Sequence, residues 1–87
     1  MKDIKFESAA IRFYDPVTNE FKIYTGRRHH EIIKHIHDDG LTMYYKKYHV
    51  DGFIINGVFH DRLMSTKIAQ AHGIPMVGCE LTSEDLW

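Results

Sequence analysis

The residues with most chemistry to offer lie between Gly26 and Gly40, in the run Arg27-Arg28-His29-His30-Glu31-Ile32-Ile33-Lys34-His35-Ile36-His37-Asp38-Asp39. Ile32, Ile33 and Ile36 recur at helical spacing, with His29 continuing their stripe, so the segment from about Arg27 to Asp38 reads as a helix that Gly40 ends. Its charges oppose the helix dipole. Arg27, Arg28 and two histidines crowd the positive start, and Asp38 and Asp39 crowd the negative end. Each misplaced charge costs on the order of 0.3–1 kcal/mol at an exposed terminus. A phosphate or carboxylate at the start would resolve the conflict. First-turn N–H groups point outward, Gly26 lets a ligand approach the backbone, and Arg27 or Arg28 can grip an anion with both arms of the guanidinium. The plainer alternative is that these side chains are solvated or pair with acids such as Glu20 or Glu84.

A second segment repeats the theme weakly. Asp61 is a good N-cap for a helix from Arg62 to His72, and Arg62 stands at its first position with His60 just before. An Arg–carboxylate pair explains Arg62 equally well. The expected ligand-binding set is therefore Gly26, Arg27, Arg28, His29, His30 and Arg62.

Metal and catalytic patterns are missing. His30-Glu31…His35 looks like the zinc-protease helix, but its histidines are five apart, about 140° round the helix, where the motif needs four and about 40°. Glu31 and His35 form a simple surface pair. Ser8, Ser65, Ser83 and Cys79 lie in no nucleophile setting, and no carboxylate or histidine pair is singled out. The expectation is a protein without catalytic residues, metal or cofactor. Tyr44, Tyr45 and Tyr48, interleaved with Lys46 and Lys47, either stack a base beside its phosphate or belong to the core or an oligomer interface.

Several short elements must position these residues. Ala9 to Tyr14 suits a strand, Asp15 to Glu20 a turn, and Phe21 to Tyr24 the returning strand of a hairpin. Leu41 to His49 reads as strand or short helix. A short strand is expected at Gly52 to Asn56, with Asn56-Gly57 a strong turn dipeptide. Met64, Ile68 and Ala71 make the inner face of the second helix, Gly73 stops it, and Pro75 prevents its restart. Pro75 to Cys79 suits a last strand, and Leu81 to Trp87 a docked tail. The expected fold is α+β: one domain over residues 1–87, an N-terminal antiparallel hairpin followed by two helices with short additional strands.

Composition agrees with a small globular protein. The 87 residues are 44% hydrophobic and 13% aromatic, with 11 basic and 12 acidic side chains and a formal charge of −1. A domain this small buries only roughly 60% of the surface its unfolded chain exposes, so a homo-oligomer is expected. The charge balance argues against general nucleic-acid binding. No leader and no long apolar run stands out, which points to a cytoplasmic protein with no membrane contact. The single cysteine, Cys79, forms no internal disulfide and reads as a small buried apolar residue.

Three segments carry a family resemblance: Ala9-Ala10-Ile11 followed by Gly26 to Ile33, then Gly52 to Gly73, and finally Ser83 to Trp87. In order and spacing they resemble small phage proteins that act as anti-defence sponges against Thoeris immunity. The resemblance implies a homo-oligomer that binds a cyclic ADP-ribose-type signal and holds it uncleaved. Arg28, His29, His30 and Arg62 would then grip a nucleotide diphosphate. The chain departs from that pattern at Lys67-Ile68-Ala69, after Ser65-Thr66, where a more acidic, alanine-rich stretch is expected. The leading expectation is sequestration of a phosphorylated nucleotide signal. Its rivals are an inhibitor that docks a host protein through Tyr44 to Tyr48 or Trp87, and a small hydrolase using the histidines.

Overall fold

The computed structural model describes residues 4–87. Strands β1 (Phe6–Asp15) and β2 (Glu20–Gly26) form the expected hairpin. Its turn is built by local hydrogen bonds: Asp15 Oδ1 accepts from Val17 N at 2.9 Å, and Asn19 adopts a positive φ of 57° and accepts from the Tyr14 hydroxyl. Helix α1 (His29–Asp38) follows. The ambiguous stretch after it resolves into a six-residue helix, α2 (Thr42–Lys47), and strand β3 (His49–Ile55). Asn56 and Gly57 both have positive φ, 51° and 81°, and turn the chain into β4 (Val58–Asp61), a strand not foreseen from the sequence. Asp61 then caps α3 (Arg62–Ala71), its Oδ1 accepting from Met64 N at 2.7 Å. A 3₁₀ turn, Ser83–Asp85, precedes the C-terminus.

All four strands form one antiparallel sheet in the order β2-β1-β3-β4. Alternation along β1 sends Ala9, Ile11 and Phe13 to one side, where they meet Ile32 and Ile36 of α1, Phe53 and Ile55 of β3, Ala69 of α3, and Leu81 of the tail. This is the core, and the α+β fold is the one expected. Gly40 (φ 74°) and Gly73 (φ 70°) end α1 and α3. In each case the glycine and the following residue bond back into the last turn: Gly40 N to His37 O and Leu41 N to Ile36 O, Gly73 N to Gln70 O and Ile74 N to Ala69 O. Glycine meets a different need at Gly52, where a Cβ would lie 2.0 Å from the carbonyl oxygen of His60 in β4.

Four expectations need correction. Residues 75–79 make bends and coil instead of a strand, and Cys79 is exposed. The inner face of α3 is Ser65, Thr66 and Ala69, while Met64 is 47% exposed and Ala71 is also exposed. Polar residues can occupy that face because their hydroxyls are satisfied: Ser65 donates to His60 O, and Thr66 donates to Arg62 O and accepts from Leu81 N. Finally, Ile33 lies at the rim of α1, 37% exposed, and leaves Ile32 and Ile36 to fill the core.

Candidate functional site

The expected ligand-binding residues divide into two groups. Arg28, His29 and Arg62 converge on the covered side of the sheet, whereas Arg27 and His30 are exposed to solvent. Arg28 is the N-cap residue of α1, and its side chain caps nothing within the helix. Its guanidinium instead donates to the carbonyl of Ser83 at 2.8 Å, while Ser83 Oγ lies 3.4 Å from His29 N, a long contact with the first amide of the helix. Ser83 is buried, so the chain's own tail sits where the sequence suggests an anion. What comes close to Gly26 is Ile32, whose Cγ1 would be 3.0 Å from an added Cβ.

His29 ties the first helix to the strands. Its Nε2 donates to the Gly52 carbonyl at 2.9 Å, which leaves the lone pair of a neutral ring on Nδ1, 3.5 Å from an Arg62 nitrogen. The ring packs edge-on against Phe53 at 5.2 Å. Burial lowers its pKa below the ordinary histidine value, with the Arg62 charge acting in the same direction. Arg62 faces Asp51 at 3.8 Å, and His49 Nε2 stands 3.7 Å from the other Asp51 oxygen. His49 Nδ1 donates to the Tyr45 carbonyl, and its ring stacks on Tyr45 at 4.1 Å. Asp51 Oδ1 and Arg62 Nε make no hydrogen bond among the described residues. Among the described residues no three His, Cys, Asp or Glu side chains converge as a metal would need. The arrangement does structural work, holding α1, β3 and α3 together.

The other side of the sheet is built differently. By strand alternation it carries Arg12 and Tyr14 from β1, Phe21 and Ile23 from β2, Val50 and Ile54 from β3, and Phe59 from β4. Phe21 is 53% exposed, Ile23 47% and Tyr48 56%. The Arg12 guanidinium lies over the Phe21 ring, 4.3 Å from its centre, and Tyr14 meets the same ring edge-on at 5.4 Å. Two hollows open here. One, of about 330 Å³, is lined by Tyr14, Pro16, Phe21, Tyr44, Lys47 and Tyr48. The other, of about 390 Å³, is lined by Arg12, Val50, Phe59, Met64 and again Tyr48, with His60 and Asp61 at its side. Tyr48 lines both, and the pair is termed the aromatic trough. Its cations are Arg12 and Lys47, while Asp61 is engaged in capping α3.

Sequence reasoning singled out Tyr44, Tyr48 and Lys47 but missed Arg12, Tyr14, Phe21 and Phe59. The available signal was the polar and aromatic half of the Ile11-Arg12-Phe13-Tyr14 alternation. A lone Arg between apolar residues marks the side of a strand that does not enter the core.

An antiparallel sheet covered by helices on one side and bare on the other defines a small α+β protein with one exposed aromatic face. The chain belongs to the family described as Phage T4 y16D protein, whose model matches residues 7–87. This corrects the resemblance to Thoeris anti-defence sponges, which is a different family. The three segments that suggested that resemblance are segments that meet in space: Arg28 binds Ser83, His29 binds Gly52, and Phe53 packs on Trp87 with ring centres 6.4 Å apart. Their order and spacing have a structural explanation within this fold. No curated protein matches the chain, and no solved structure does. Among the described residues no helix is long and apolar enough to cross a membrane.

Proposed function

We propose that this phage protein is a non-catalytic binding module that docks another protein through the aromatic trough. The supporting observation is the bare sheet face with Phe21, Ile23 and Tyr48 about half exposed beside Tyr14 and Arg12. Contiguous exposed apolar surface on a small protein marks an interaction site. Tyr, Phe, Met and Arg are also the residues that concentrate in protein interface cores. With Arg12 and Lys47 as its cations, the trough suits an apolar or aromatic segment flanked by a carboxylate. A host factor is the natural target for a phage protein of this kind.

Wild-type protein and a Phe21→Ser/Tyr48→Ser variant, immobilised side by side in host lysate, test the reading. The expected result is a stoichiometric partner on the wild type that is missing from the equally folded variant. Equal capture by both, or by neither, would contradict it.

Capture of a phosphorylated nucleotide signal is the second reading, supported by exposed Arg27 and His30 beside the first turn of α1. Calorimetry with ADP-ribose and its cyclic isomers decides it. Micromolar binding lost in Arg27→Ala would favour this reading, and no heat at millimolar ligand would end it.

A further inference from the structure

We infer that the hollow between Tyr14, Phe21, Tyr44 and Tyr48 takes a proline-rich segment of the partner in polyproline II conformation, with an acidic residue beside the prolines. The inference rests on the docking reading above and names the chemistry that the docked segment must carry. Four aromatic rings, Pro16 and Lys47 line this hollow of about 330 Å³. Proline rings pack against aromatic rings, and grooves that recognise proline-rich segments are lined in this way.

Backbone chemistry selects the segment. The hollow opens on a sheet face, where strands present side chains, and β1, which carries Tyr14, is paired by β2 on one side and β3 on the other. A peptide cannot join there as a further strand, because strand addition needs a free edge. An ordinary extended peptide would bury N–H groups against the rings, and each one left unpaired is costly. Asp15, the nearest carboxylate along β1, is buried on the other side of the sheet beside Lys22. The polar groups lining the hollow are the Lys47 ammonium, which only donates, and tyrosine hydroxyls. Proline has no N–H to leave unpaired. A polyproline II segment makes no internal hydrogen bonds, so its carbonyls remain available to such donors, and its stiffness limits the entropy lost on docking.

Charge sets the flank. Lys47 lines the hollow, and Arg12 lies over the Phe21 ring at its side, 4.3 Å from the ring centre. Among the described residues no carboxylate lines it. A glutamate or aspartate next to the prolines is therefore attracted, and a lysine or arginine repelled.

Fluorescence anisotropy of labelled peptides with the full chain tests this. The reference peptide is a run of prolines and leucines ended by two glutamates. Three others carry alanine for each proline, N-methylalanine for each proline, or lysine for each glutamate. The reference should bind in the micromolar range, and the alanine and lysine peptides at least about tenfold more weakly. N-methylalanine, which also lacks the N–H, should recover most of the affinity lost with alanine. Lys47→Glu, a change at an exposed residue, should weaken the glutamate peptide and strengthen the lysine peptide. No binding of the reference, equal binding of the alanine peptide, or indifference to Lys47→Glu would overturn the inference. Micromolar binding of AMP in place of the peptides would also overturn it and give the hollow to a stacked base. A lysate partner that depends on Phe21 and Tyr48 but binds without a proline-rich segment would sink this inference alone and leave the docking reading standing.

Discussion

Ile11 and Arg12 are neighbours in β1, yet they belong to different environments. Ile11 is fully buried beneath the helices, and Arg12 lies across the Phe21 ring on the bare side. On the covered side several polar groups are tied down, His29 to Gly52, Arg28 to Ser83, Ser65 to His60, and Thr66 to Leu81, although Asp51 Oδ1 and Arg62 Nε make no hydrogen bond among the described residues. On the bare side the large side chains contact one another and solvent. The first arrangement supplies stability, since burying apolar surface and satisfying polar atoms both favour the folded chain. The second contributes little to stability and exposes apolar area to water, a cost that binding a partner would remove.

That contrast can be broken by mutation. The largest loss is expected from Gly52→Ala, because a Cβ 2.0 Å from the His60 oxygen forces β3 and β4 apart. Thermal or urea unfolding should show roughly 4 kcal/mol or more lost. Phe53→Ala, at the centre of the core beside Phe6, His29 and Trp87, should cost about 3–5 kcal/mol in the same assay. Asp61→Ala removes the cap of α3 and should cost about 1 kcal/mol.

The pH profile gives a finer test of the covered side. The folded pKa of His29 is lowered, so above the unfolded value of about 6.5 the ring is neutral in both states and its contribution to stability is complete. As pH falls through that value towards the lower folded pKa, the unfolded chain takes up a proton that the native chain resists, and stability is lost. Denaturant midpoints measured between neutral and mildly acidic pH should therefore fall more steeply for the wild type than for His29→Gln. Equal slopes would remove His29 from the explanation. The smallest stability effect is expected on the bare side, where Phe21→Ser and Tyr48→Ser should each stay within about 0.5 kcal/mol of the wild type.

Much of the covered side could be read from the sequence. The hairpin, the Asn56-Gly57 turn, the Asp61 cap and the two glycines that end helices are local signals, and each lies where its chemistry requires. Strand β4 was missed because four residues that lead directly into a helix leave no room for a periodic pattern. The inner face of α3 was misread because its buried residues are Ser65 and Thr66, and their hydrogen bonds to His60 and Leu81 are visible only in three dimensions. The basic start of α1 was legible as a charge pattern, but nothing local shows that Ser83, 55 residues beyond Arg28, would dock there. The trough stayed hidden for a related reason. Its residues come from β1, β2, β3, β4, α2 and α3, and although Arg12 marks the outer side of β1, nothing local shows which other elements meet there.

Aromatic and methyl NMR spectra of the isotope-labelled protein, recorded alone and with its captured partner, address the docking surface most directly. Signals of Tyr14, Phe21, Ile23 and Tyr48 should shift on binding, while those of Phe13, Ile32 and Phe53 stay in place. Shifts concentrated at His29, Leu81 and Trp87 around the Ser83 tail, with the trough unmoved, would contradict the assignment of function to the bare face.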